Sequence, residues 1–197
     1  MPLLRQSPQR EEPPHGAGSS LRDNCFLGNF MMTLTELNQM SQDEFVKTLG
    51  AVFEDTPAIA YHAWYERPFK NVAQLHQKMV DVVRTASQDA QIELIQAHPD
   101  LGSKAKMAVA SVQEQAGAGL DRLTPQEYDR FLSLNQAYKQ KFHFPFIIAV
   151  KNHTKESILA TFEQRLQNSS EIEQNQALTE IFQIAKFRLD AILTDNG

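Results

Sequence analysis

His98, within Ala97-His98-Pro99-Asp100-Leu101-Gly102, and the downstream triplet Ser111, Glu114 and Gln115 are residues whose types and spacing suit chemistry. An imidazole titrates near neutral pH, so it can take or give a proton, and Pro99 fixes the backbone just after it. Ser111, Glu114 and Gln115 stand at i, i+3 and i+4, which gathers a hydroxyl, a carboxylate and an amide on one helical face. Such a patch suits several hydrogen bonds to an amide-like or ureide-like ligand. A third feature lies in the last helix. With Ile181 at zero and about 100° per residue, Leu178, Ala185, Leu189 and Ile192 gather within about 80° of it, and Thr179, Gln183, Lys186 and Asp190 lie opposite. Arg188 falls about 20° from Ile181, inside the apolar stripe. A guanidinium cannot shed its proton, so burying it demands an anionic partner or several acceptors. Together these residues suggest a site for a compact anionic molecule.

Each feature also has a plainer reading. Arg188 can pair with a structural carboxylate or run its charged head out along its stem to water. His98 can be a hydrogen-bonded structural residue; at a helix carboxyl end, the macrodipole favours its protonated form. Ser111, Glu114 and Gln115 can form a solvated polar face. No glycine pattern of a nucleophile elbow surrounds Ser111, which argues against a nucleophilic serine. His62, His76, His143 and His153 lack the context of His98, and His62, beside Trp64 and Tyr65, reads as helix packing.

The elements that position these residues are helical. Ser41-Gln42-Asp43-Glu44 is a capping box before a short helix that Gly50 can end. Pro57 opens a helix to about Arg67-Pro68. Val72, Leu75, Met79, Val82 and Val83 give a helical period from Val72 to Thr85. Ser87 caps a helix that stops near Pro99, since the residue before proline disfavours the α region. Thr124-Pro125-Gln126-Glu127 opens a helix to about Phe142, and Thr154 caps one through Leu166. Ser170-Glu171-Ile172-Glu173 reads as the capping box of a last helix to about Leu193. Phe144 to Val150 is a short, bulky apolar run with no strand to pair with, so a buried extended segment or short helix is expected. The class is therefore all-α: a single domain of about seven or eight helices over residues 32–197. Residues 1–31, with Pro2, Pro8, Pro13, Pro14, Gly16 and Gly18, read as a disordered or non-native extension.

Composition narrows the class further. The 197 residues suffice for one domain with its own core. A net charge of −5, from 19 basic and 24 acidic residues, argues against nucleic acid as a partner. No run reaches the roughly eighteen apolar residues of a membrane span, and no secretory or peroxisomal signal stands out. Cys25 is the sole cysteine, so no internal disulfide is expected, and no Cys/His set has metal-ligand spacing. These features point to the cytosol and speak against a metal-dependent hydrolase.

Four motifs occur in order: His98-Pro99-Asp100-Leu101; Ser111-x-x-Glu114-Gln115-Ala116-Gly117-Ala118-Gly119-Leu120; Phe144-Pro145-Phe146-Ile147-Ile148; and Arg188-Leu189. On these the chain resembles the 2-oxo-4-hydroxy-4-carboxy-5-ureidoimidazoline (OHCU) decarboxylase family over about residues 35–193. The resemblance implies an all-helical enzyme that uses neither metal nor organic cofactor and converts OHCU to (S)-allantoin in urate breakdown. It further implies a homodimer. By the same resemblance His98, Glu114 and Arg188 are the catalytic positions, and Pro99, Ser111, Gln115, Phe146, Ile147 and Ile148 bind substrate. Ala149 stands where many members have cysteine and Lys151 where many have arginine, neither on a catalytic position. The expected roles follow: His98 as general base, or acid, on the substrate hydroxyl; Glu114, Gln115 and Ser111 on the ureido and ring N–H groups; Arg188 on anionic oxygen; Phe146 to Ile148 as a dry wall. The competing class is a non-catalytic helical module that holds a small anionic metabolite or a partner through Arg188.

Overall fold

Reciprocal side-chain caps start much of this fold. In the computed structural model, which describes residues 31–102 and 109–195 with the side chains of 109–111 and 152 left aside, Thr33 and Glu36 cap α1 (Leu34–Gln39). Ser41 and Glu44 cap α2 (Gln42–Leu49), and Thr124 and Glu127 cap α7 (Pro125–Phe142). In each box both partners satisfy a helix-end or cap N–H that would otherwise lack a mate. Pro57 opens α3 (Pro57–Ala63), which tightens into a 3-10 turn at Trp64–Glu66. Asn71 caps α4 (Val72–Thr85) and Ser87 caps α5 (Gln88–Gln96). The chain continues through α6 (Val109–Gly117), α8 (Lys155–Arg165) and α9 (Ser170–Ile192). The described residues thus hold nine α-helices, against the seven or eight expected. The extra one is six-residue α1, whose signal is the Thr33-x-x-Glu36 box.

α9 is the spine. Its face of Ala177, Leu178, Ile181, Ile184, Ala185, Arg188 and Leu189 is buried, and it packs on α4, α5 and α7. Ile192 departs from the expected stripe and is 38 % exposed, because the helix ends there and its last turn clears the core. At that end Leu193–Thr194 (β2) pairs in parallel with Met32–Thr33 (β1), a two-residue contact not expected from sequence.

The sequence reading of Ser170 to Glu173 as a capping box is corrected. Ser169 is the N-cap, its hydroxyl accepting from the Ile172 N–H. Glu173 is free of capping and fully buried: it takes Arg165 Nε at 2.6 Å, Asn168 Nδ2 at 2.8 Å and the Tyr138 hydroxyl. Burial, and then the bond to Glu173, push the Tyr138 phenol far above its ordinary range.

Residues 144–149 form neither helix nor strand, and all are buried. Their backbone cannot be left unpaired, and neighbouring side chains pair it. Arg165 Nη1 donates to the Ile147 carbonyl at 2.7 Å, and the Ala149 N–H donates to Glu180 Oε2 at 2.9 Å. Phe146 stacks on Phe162 with centroids 3.9 Å apart. The expected buried extended segment is therefore present, hung from α8 and α9. No described helix is long and apolar enough to cross a membrane.

Candidate active site

His98 lies two residues past the end of α5, in the turn that Pro99 redirects. Its ring is 7 % exposed, and Nδ1 lies 2.9 Å from the Leu94 carbonyl. A carbonyl only accepts, so Nδ1 carries the proton and Nε2 keeps its lone pair. Nε2 is buried and has no hydrogen-bond partner among the described residues. The turn is held from α7, where Asn135 Nδ2 donates to the Leu101 carbonyl at 2.9 Å.

Burial pushes the imidazole below its ordinary value; the Leu94 carbonyl, Glu54 and Glu114 act the other way, and Arg188 adds to the lowering. The helix-end dipole that sequence pointed to does not prevail. Dehydrating a full charge costs more than a helix terminus returns. A folded-state pKa below the unfolded value of about 6.5 means the unfolded chain binds more protons as acid is added. The contribution to stability is therefore complete above about pH 6.5 and lost as pH falls below it. Urea midpoints taken at pH 7.5 and pH 5.5 should drop more for the wild type than for His98→Asn. Equal drops would mean that the imidazole is not held neutral.

Arg188 is buried, as its place in the stripe predicted, and two carboxylates hold it. Nε and Nη2 meet Glu114 Oε1 and Oε2 at 2.8 and 2.9 Å, a two-pronged pair. Nη1 donates to Glu54 Oε2 at 3.0 Å and to the Ala51 and Val52 carbonyls at 3.2 and 3.3 Å. Burial opposes the guanidinium charge, but Glu114 and then Glu54 more than offset it. The plainer reading of Arg188, a structural carboxylate partner, is thus realised.

His98, Pro99, Glu114, Gln115, Phe146, Ile147, Ile148 and Arg188 all line one cavity of about 30 Å³. That is eight of the nine residues singled out from sequence. Ser111 lies on α6, but its side chain is outside the described residues. Gln115 is buried, and its Oε1 accepts from the Gly102 N–H at 2.9 Å, which leaves its NH₂ as the donor. Gly102 has φ +66°, a turn that a side chain would strain. Across Glu114 and Arg188 opens a wider, mostly apolar groove of about 540 Å³, lined also by Thr48, Lys151, Phe187 and Ile192. Glu114, Arg188, Val150 and Ile184 belong to both walls.

The other described histidines are absent from the cavity lining. His76 bonds the Phe182 carbonyl, His153 faces Ser157, and His143 ends α7 at φ +65°. His62, expected to pack, is exposed and meets only the edge of Tyr61. Among the described residues no group of His, Cys, Asp and Glu could hold a metal ion. Glu54 was missed from sequence, since it lies in a turn where no periodicity marks a buried face.

The sequence model of the OHCU decarboxylase family matches residues 38–190. The chain belongs to that family. It is 45 % identical over 167 residues to the uric acid degradation bifunctional protein PucL of Bacillus subtilis (strain 168), covering 85 % of this chain and 34 % of that protein. This chain thus spans about a third of the length of such bifunctional relatives. It is 43 % identical over 161 residues to the 2-oxo-4-hydroxy-4-carboxy-5-ureidoimidazoline decarboxylase of Halalkalicoccus jeotgali, covering 82 % and 92 % of the two chains. Among solved structures, a crystal structure of (S)-allantoin synthase superposes with a TM-score of 0.68 at 31 % identity, over 82 % of this chain and 54 % of that one. In this OHCU decarboxylase family member, each of the four motifs that carried the resemblance sends at least one residue to the cavity.

Proposed function

We propose that this protein decarboxylates OHCU to (S)-allantoin in urate degradation, with no metal or organic cofactor. The observation that carries the reading is the His98 Nε2 lone pair, buried and without a hydrogen-bond partner among the described residues, in a cavity beside Glu114 and Arg188. Membership of the family, and relatives named for this decarboxylase and for uric acid degradation, support it. The proposal extends to a homodimer, on the family resemblance alone, and to the cytosol, on the composition.

The substrate bears a hydroxyl and a carboxylate on one ring carbon, next to a C=N carbon that carries the ureido group. When the bond to the carboxylate breaks, its electron pair flows into the C=N, so the substrate is its own electron sink and carbon dioxide leaves. Nε2 takes the hydroxyl proton as that carbon becomes a carbonyl, acting as general base. The imidazolium then gives a proton to one face of the ureido-bearing carbon, which sets the S configuration, and water supplies the proton for the ring nitrogen. Glu114 accepts from ureido N–H groups. Gln115, with its carbonyl engaged by Gly102, donates to a ureido or ring carbonyl. Arg188 holds anionic oxygen in reacting geometry, Ser111 adds a contact, and Pro99 and Phe146 to Ile148 keep water out.

Circular dichroism of allantoin formed from freshly generated substrate tests this. Enantiomeric excess and a rate above the spontaneous background are expected with the protein present. Racemic product at the background rate would sink the decarboxylase and leave the non-catalytic binding module.

A further inference from the structure

Glu54 is a carboxylate of the site to which the scheme above gives no task. It sits in the turn between α2 and α3, 2 % exposed, with its backbone in the left-handed region at φ +52°. A residue with a Cβ adopts that conformation at a cost, and a buried carboxylate needs a partner. Two costs at one position imply a return, and it is found at Arg188.

The guanidinium has two edges with different grips. Its Nη1 edge is fixed to the 51–54 turn by the Ala51 and Val52 carbonyls and by Glu54. Its Nε–Nη2 edge pairs with Glu114, whose side chain is 28 % exposed against 3 % for Glu54. The cavity beyond this pair has about 30 Å³, room for about two waters. A ureido-substituted ring is far larger than this cavity, and the Glu114–Arg188 pair stands in the wall it shares with the 540 Å³ groove.

We propose that Glu54 is a positioning residue: it keeps Arg188 on the 51–54 turn while Glu114 leaves the Nε–Nη2 edge, and that edge then takes the substrate's anionic oxygens in Glu114's place. The exchange replaces one anion by another on the same pair of parallel N–H donors. Glu114, released, is free to accept from the ureido group. With Glu54 neutral, Arg188 would follow Glu114 and the edge would not be presented. The inference rests on the decarboxylase reading.

The test uses the full chain, fresh OHCU as substrate and (S)-allantoin, which is neutral, as product inhibitor. Glu54→Gln keeps the size of the side chain, and Glu54→Asn suits the left-handed backbone, so between them a folded variant is secured. A loss of at least tenfold in kcat/KM is expected in the folded variants, while the inhibition constant of neutral allantoin moves less than twofold. A purely structural carboxylate would weaken both constants together with the thermal midpoint, and that result overturns the proposal. So does a kcat/KM within twofold of wild type. Absence of turnover by the wild type would overturn the decarboxylase reading itself, and this inference with it, whereas an active wild type beside an unchanged Glu54→Gln overturns only the role of Glu54.

Discussion

Replacing His98 with asparagine is expected to lower kcat by about 10²–10⁴, the range that a positioned acid–base group contributes. The case rests on two atoms of one ring. Nδ1 is occupied by the Leu94 carbonyl, which fixes the tautomer, and Nε2 is buried with no hydrogen-bond partner among the described residues. Asparagine offers an amide of similar polarity but no basic nitrogen, so the substrate hydroxyl would lose its proton only to water. Because the wild-type ring is neutral in the fold, its loss removes no buried ion pair, and the thermal midpoint should hold. Initial rates followed by circular dichroism, with urea melts alongside, check both parts. Full activity in the variant would end the proton-transfer account.

The second large effect concerns stability. Glu173→Ala should cost about 3–5 kcal/mol, the usual penalty for removing one partner of a buried ion pair. Glu173 is 0 % exposed, and it answers Arg165 Nε at 2.6 Å, Asn168 and the Tyr138 hydroxyl at once. Truncation leaves a guanidinium that is 5 % exposed, lying over the Phe146 ring at 4.5 Å with the Ile147 carbonyl as its remaining described hydrogen-bond acceptor. Denaturant titration of Glu173→Ala measures the loss. In the double variant Arg165→Met/Glu173→Leu much of it should return, since the uncompensated charge is gone. A single-variant loss below 1 kcal/mol would mean that the network is not the buried pair described.

Much of the site was legible because its residues fall in elements with strong local rules. Arg188 could be placed from the period of α9, and Glu114 with Gln115 from their spacing on α6. The wall at 144–149 was legible as a buried extended run but not as to what holds it, since side chains of α8 and α9 supply its hydrogen bonds. Glu54 and Glu173 were missed for one shared reason. A buried carboxylate looks like any surface glutamate until its cation is known, and those cations stand 134 and 8 residues away. Glu173 was further masked by Ser170, which mimics a cap one position after the true one, Ser169. For His98 only the pull of the helix-end dipole was readable from sequence, whereas burial, which acts the other way, arises only once distant segments meet.

A strand in a sheet can shift only in steps of whole residues, and each single step turns every side chain to the other face. The wall of this site is under no such rule. Its backbone hangs from Arg165 at Ile147 and from Glu180 at Ala149, and Gln176 steadies Glu180 from one turn earlier on α9. Changing the length or lean of one of those side chains moves the wall by a fraction of an ångström and leaves its register intact. The shape of the cavity is therefore a graded quantity, open to adjustment by single substitutions that never touch the ligand.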